Sequence, residues 1–246
     1  MTSRTGLARF VKPPADSGQP ASAQPAAAVL PDELPAALAS RLSSPASAQA
    51  AASEAERCEF CGAEVPDEHG HVADLEGASL ICACRACYLL FTQQNAGRGR
   101  YKAVPDRYCF EGGDALTAAE WDELQIPVGL AFFLRSAATG ELTGFYPSPA
   151  GATECQLDLG AWQRLAAEHP MLTAAEQDVE AVLLTKSADG VEYFLVPIDV
   201  CYELAGRMRL HWRGFDGGEE ARASIAAFMA SVRSRARAFE PAGQEA

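Results

Sequence analysis

The chain has 246 residues, 48% of them apolar, and carries 33 acidic against 20 basic side chains for a formal net charge of −13. That length holds one or two domains with sizeable cores. The acidity argues against a nucleic-acid partner, whose phosphates draw binding from Lys and Arg, and no window nears the roughly 18 apolar residues of a membrane span.

Residues 1–56 are dominated by Ala, Pro, Ser and Gln and read as a disordered arm with too little apolar surface to offset ordering entropy. Leu30, Leu34, Leu38 and Leu42 repeat every four residues and outline a short amphipathic helix that docks on a partner. A solvated linker with transient helicity is the simpler reading, because such helices form weakly alone. Met1 to Lys12 is charged and precedes no apolar h-region, so a cytoplasmic, reducing location is expected. In that compartment eight cysteines serve as metal ligands and buried thiols in preference to disulfides.

Residues 57–97 carry two Cys-x-x-Cys pairs, Cys58/Cys61 and Cys84/Cys87, with 22 residues between them. Gly62 after the first pair suits the tight turn of a metal knuckle. HVADL and SLICA then read as a hairpin around Glu76-Gly77-Ala78. The second pair runs into YLLFTQQN, a helix closed by Gly97, which places Cys84 and Cys87 in its first turn, where N–H groups lower thiol pKa values. Knuckle, hairpin and helix predict a treble-clef-like finger whose four thiolates hold zinc in a tetrahedron. Cys82 is an alternative ligand: it could exchange into the site, bind a second metal, or pack as an apolar residue, the last being the default. His69 and His71 lie on the hairpin arm and read as surface or supporting residues, since four cysteines already fill the tetrahedron.

Residues 98–115 look like a connector, with Arg98, Arg100, Lys102 and Arg107 as a solvated basic loop. Residues 116–238 then predict an antiparallel-sheet α+β domain, followed by a tail at 239–246. Thr117 and Glu120 form a capping box for a helix to about Leu124. VGLAFFLRS and LTGFYPS read as a hairpin, TECQL as a third strand, and Asp158 as the N-cap of a helix stopped by Pro170. LTAAE at 172–176 repeats LTAAE at 116–120, and VEAVLLTKS, VEYFLVP and a helix from about Asp199 follow, so a duplicated hairpin-helix unit is an expectation. The last helix, with Ile225, Phe228, Met229 and Val232 on one face, is expected to pack across the sheet.

No convergent acid, base and nucleophile set is visible. Ser148 in the Tyr146–Glu154 loop has no base partner, and Asp178, Glu180 and Asp199 read as caps of N–H groups. Cys109, Cys155 and Cys201 read as packed thiols and Trp162 and Trp212 as core or interface anchors. An enzyme therefore ranks last among the readings.

The runs CEFCG, LICACRACYLLF, YPSPAGATE, DVEAVLL, LVPIDVCYEL and HWRGFDGG together resemble an uncharacterised bacterial family encoded in gene clusters of uptake nickel-iron hydrogenases, over residues 57–237. The resemblance implies a role in hydrogenase assembly, maturation or electron transfer, with Cys58, Cys61, Cys84 and Cys87 as metal ligands. Two functions follow as expectations. One is a non-catalytic accessory protein with a structural zinc finger that binds hydrogenase subunits or maturation proteins. The other is an electron carrier in which the same cysteines hold iron as in rubredoxin, or an iron-sulfur cluster that also uses Cys82.

Overall fold

The computed structural model describes residues 56–93, 95–111, 116–148, 151–155, 157–187, 190–214 and 217–240. The leucine stripe of the N-terminal arm, the centre of the 187–190 turn and most of the 239–246 tail lie outside the described residues.

The fold is α+β, on two sheets. The alternating HVAD and SLIC segments form β1 (Gly70–Asp74) and β2 (Ser79–Ala83), and β3 (Tyr101–Ala103) adds to the free edge of β1, all antiparallel. The larger sheet is built from β4 (Cys109–Phe110), β5 (Leu130–Arg135), β6 (Leu142–Ser148), β7 (Gly151–Cys155), β8 (Glu180–Ser187), β9 (Gly190–Pro197) and β10 (Arg237–Ala238). Its order is β10-β4-β9-β8-β5-β6-β7, antiparallel throughout except where β10 runs parallel to β4.

Central strands read as nearly unbroken apolar runs because both faces of this sheet are covered. Leu130, Phe132, Leu134, Ala181 and Leu183 face α4 (Ile198–His211) and α5 (Gly218–Arg235). Ala131, Phe133, Val182 and Leu184 face α2 (Ala118–Glu123) and α3 (Leu159–Glu168). A further short helix, α1 (Arg85–Leu90), belongs to the small sheet. The final helix packs against α4, and its Phe228, Met229 and Val232 enter the core on that face of the sheet.

Local chemistry sets two helix starts as expected. Thr117 Oγ1 accepts the Glu120 N–H while Glu120 accepts the Thr117 N–H, the predicted capping box. Asp158 Oδ1 accepts from Gly160 and Ala161, and the helix it starts ends before Pro170. The second LTAAE is different. Pro170–Thr173 is a 3₁₀ turn whose Thr173 hydroxyl donates to the Pro170 carbonyl, and the Glu176 N–H is taken by Glu180, so no helix starts there. The helices after the two hairpins, α3 and α4, also lie on opposite faces of the sheet. A two-fold axis exchanging the adjacent antiparallel strands β5 and β8 would stand perpendicular to the sheet and keep both helices on one face, so the two units are not equivalent in space.

The described part of the connector, residues 98–111, is structured, and three of its basic residues, Arg100, Lys102 and Arg107, are paired instead of forming a solvated loop. It supplies β3 to the small sheet and β4 to the large one. Lys102 Nζ donates to the Gln177 carbonyl at 2.8 Å and pairs with Glu176 at 2.9 Å. Arg107 Nε donates to Glu180 Oε1 at 2.8 Å, and its Nη2 pairs with Glu180 Oε2. Glu180, expected as a cap, is thereby a fully buried carboxylate that also accepts the Glu176 N–H.

Arg100 grips Asp74 in a fork, with Nε to Oδ1 at 3.0 Å and Nη2 to Oδ2 at 2.7 Å. Hydrogen bonding from this guanidinium outweighs burial and holds the Asp74 carboxyl down at about 2. A depressed folded-state pKa adds stability that is complete above the unfolded value, near 4, and is lost as pH falls through about 2. Urea unfolding of Asp74→Asn against the parent is therefore expected to show a deficit that is constant above about pH 5 and shrinks toward pH 2. A deficit independent of pH would mean that the carboxylate acts only as a neutral acceptor.

Candidate metal centre

The first Cys-x-x-Cys pair is shaped by its backbone. Cys58 N–H donates to the Ala63 carbonyl and Gly62 N–H to the Cys58 carbonyl, both at 2.8 Å, and Gly62 takes φ of +74°, the conformation its lack of a Cβ permits. The flanks of this knuckle are tied by an Arg57–Glu64 bridge and ion pair. The second pair starts where β2 ends. Cys84 is the N-cap of α1 in extended conformation, its thiol unused for capping, and Cys87 follows within the first turn. This helix ends at Leu90, not near Gly97, which lies at positive φ in a 3₁₀ segment.

Two hydrogen bonds clamp the pairs together: Glu59 N–H to the Cys82 carbonyl at 2.9 Å, and Cys82 N–H to Glu59 Oε1 at 2.8 Å. Phe60, between the first two cysteines, packs on Phe91 and Tyr101 with ring centroids 4.8 and 5.6 Å away, which seats the knuckle against the end of α1 and β3. The result brings Cys58, Cys61, Cys84 and Cys87 into one cluster whose sulfurs lie within 4.8 Å of each other. Cys61 and Cys84 Sγ are 3.7 Å apart. A tetrahedron with metal–sulfur bonds of about 2.3 Å has an edge of about 3.8 Å, so the thiols stand close to ligand spacing.

Electrostatics within the cluster are uneven. Burial pushes the Cys58 thiol up, but N–H groups of Cys84, Cys61 and Phe60 more than offset it and hold its pKa at about 6. Cys87 is pushed up to about 12 by burial and by its contacts with Cys84, Cys58 and Cys61. At Cys87 the expectation that the helix start favours a thiolate is thus reversed: donors converge on the Cys58 sulfur, while the short helix offers Cys87 no such set.

Cys82, the alternative ligand, does not join the four. It sits opposite His71 in the β1–β2 register and groups with His69 and His71. Cys201 is buried, with its thiol raised well above the ordinary value by burial, in keeping with packing. Cys109 and Cys155 are half-buried, and burial raises both. Trp162 is a core residue whose ring packs at a tilt on Phe133, centroids 4.6 Å apart, and Trp212 donates from Nε1 to the Gly214 carbonyl. Asp178 accepts the Ala137 N–H and Asp199 the Val200 N–H, as expected of caps.

One polar group escaped the sequence reading. Buried His169 shares a hydrogen bond with Tyr193 Oη at 2.9 Å, and Tyr193 donates to Glu111, across the face covered by α2 and α3. Glu120 and Glu168 complete a cluster around His169. Glu120 is already engaged as the capping-box acceptor, and this group reads as a hydrogen-bonded seam between helix and sheet. Its residues are scattered over 82 positions, from Glu111 to Tyr193, with no spacing to reveal them.

No helix among the described residues is long and apolar enough to cross a membrane. A family model described as a family of unknown function, DUF5947, matches residues 57–236. No curated protein and no solved structure matches the chain.

Proposed function

The chain belongs to the DUF5947 family of unknown function, and from its own residues we propose a non-catalytic accessory protein in which Cys58, Cys61, Cys84 and Cys87 hold a structural zinc. The observation that carries this reading is the convergence of the four thiols at the base of a hairpin whose other end is sunk in the main core. Ala73, Leu75 and Leu80 of that hairpin pack with α4 and the large sheet. A metal at the base completes a small sheet that has little core of its own, which is the task of closed thiolate sites. The succession of knuckle, hairpin and helix supports a treble-clef-like finger. Eight free cysteines suit the reducing cytoplasm as its location.

Leu89 and Leu90 on α1 are 47% and 66% exposed beside this centre and offer apolar surface to a partner. The resemblance to proteins encoded with uptake nickel-iron hydrogenases suggests that hydrogenase subunits or maturation proteins are what it meets.

The test has two parts. Protein purified without oxygen or added metal is expected to contain zinc and to show no visible absorbance. Iron with thiolate charge-transfer bands would overturn the structural reading in favour of a rubredoxin-like or iron-sulfur carrier. Tagged chain is expected to retain purified hydrogenase subunits or maturation factors, with retention lost in Leu90→Glu; parent protein that retains none of them removes the hydrogenase assignment.

A further inference from the structure

Beside the four-cysteine cluster lies a second set of donors that the finger does not use. His69 directly precedes β1 and His71 lies in it, and His71 pairs directly with Cys82 across the hairpin. The three ligand atoms lie within 4.8 Å of one another. The histidine rings are 4.8 Å apart at their centroids and tilted by 53°, so their nitrogens are not stacked face to face.

Their tautomers are set by acceptors. His69 Nδ1 lies 2.8 Å from the Pro66 carbonyl, which can only accept, so Nδ1 carries the proton and Nε2 presents a lone pair. His71 Nδ1 lies 2.9 Å from Asp199 Oδ2, with the same result. A carboxylate or carbonyl behind one ring nitrogen, with the other left open, is how metal-binding histidines are oriented. Between them, Gly70 passes under Tyr88: a Cβ there would stand 2.6 Å from the ring, so the start of β1 packs closely beneath α1.

The strongest sign is an unmet need. The His69 side chain is only 5% exposed, and its Nε2 is buried with no hydrogen-bond partner. A buried acceptor without a partner destabilises the fold, and a cation ligated there would remove that penalty. Both histidines also line a cleft of about 850 Å³ in which acidic side chains outnumber basic ones, Glu64 and Glu203 being paired with Arg57 and Arg207 while Asp67 and Glu68 also face it. That field draws cations inward.

We propose that His69, His71 and Cys82 form a second metal site, separate from the four-cysteine centre, which takes a divalent cation of the zinc class. Two imidazoles and one thiolate leave a tetrahedral ion one open position, and the cleft lined by the histidines gives a small ligand access to it. An N–S edge in such a site is about 3.6 Å, so no N–S pair has to close by more than about 1 Å on binding. Asp199 acts as a positioning residue through His71.

The full-length chain, stripped of metal under anaerobic conditions, is titrated with cobalt(II) alone and then zinc(II) alone. Two equivalents are expected: one with the intense bands of four thiolates, one with the weaker charge transfer of a single thiolate. Cys82→Ala and His69→Gln are each expected to abolish the second equivalent and leave the first spectrum unchanged, with far-ultraviolet dichroism confirming the fold. Asp199→Asn is expected to weaken only the second equivalent, by about 10–100-fold. Because His69→Gln leaves the thiol in place, it decides the matter if Cys82→Ala misfolds. A single equivalent in the parent protein, or a second one indifferent to both the His69 and Cys82 changes, overturns the proposal. So does loss of the four-thiolate spectrum in a folded Cys82→Ala, which would place Cys82 in the first site.

Discussion

Cys58→Ser is expected to release the metal and unfold the small sheet while the large sheet persists. Cys58 is the buried member of the four, and N–H groups of Cys84, Cys61 and Phe60 already converge on its sulfur. A serine oxygen forms a weaker bond to a soft ion, and the incomplete site gives up a large part of the roughly 10 kcal/mol that structural zinc supplies. Amide exchange should then accelerate across β1, β2 and β3, with β5, β8 and β9 staying protected. Retention of metal and of normal protection in β1 would show that the hairpin is held by Ala73, Leu75 and Leu80 alone. Cys109→Ser, outside the cluster, serves as the control and should change neither.

The second large effect is expected at Arg107. Its guanidinium is the charge partner of Glu180, whose side chain has no exposed surface. Arg107→Met leaves that carboxylate buried with only the Glu176 N–H for company. Breaking a buried pair from one side costs about 3–5 kcal/mol. The lower end applies here, because Arg107 is itself 45% exposed and water can reach the pair. About 3 kcal/mol should lower Tm by about 6–12 °C in a chain of this size. Adding Glu180→Leu should recover most of the loss, since the cost lies in the unpaired charge and not in the missing bond. A single variant that unfolds within about 1 °C of the parent would show that Glu180 takes its proton without penalty.

What could be read from the sequence follows the range of the forces involved. The two Cys-x-x-Cys pairs, the Thr117–Glu120 capping box and the Asp158 N-cap each act over a few residues, so spacing alone reveals them. Arg107 and Glu180 are 73 residues apart, and nothing local distinguishes an arginine that will pair from one that will face water. The two LTAAE segments make the same point in reverse. Identical residues start a helix where Thr117 is free to cap and fail to where Thr173 and Glu176 are engaged by Pro170 and Glu180. The histidine pair had a readable signal, two imidazoles at strand period facing a cysteine across a hairpin. The four cysteines mask that signal, because they satisfy a tetrahedral site without it.

His71 depends on Asp199, 128 residues further along the chain. Synthesis proceeds from the N terminus, and early segments fold while later ones are still being made. The four cysteines are all available once Cys87 has left the ribosome, whereas the carboxylate that orients His71 arrives only after most of the protein has been translated. Order of synthesis thus becomes order of assembly: the four-cysteine cluster, with the ion proposed for it, can form cotranslationally, and the imidazole pair is oriented only when α4 has emerged and docked.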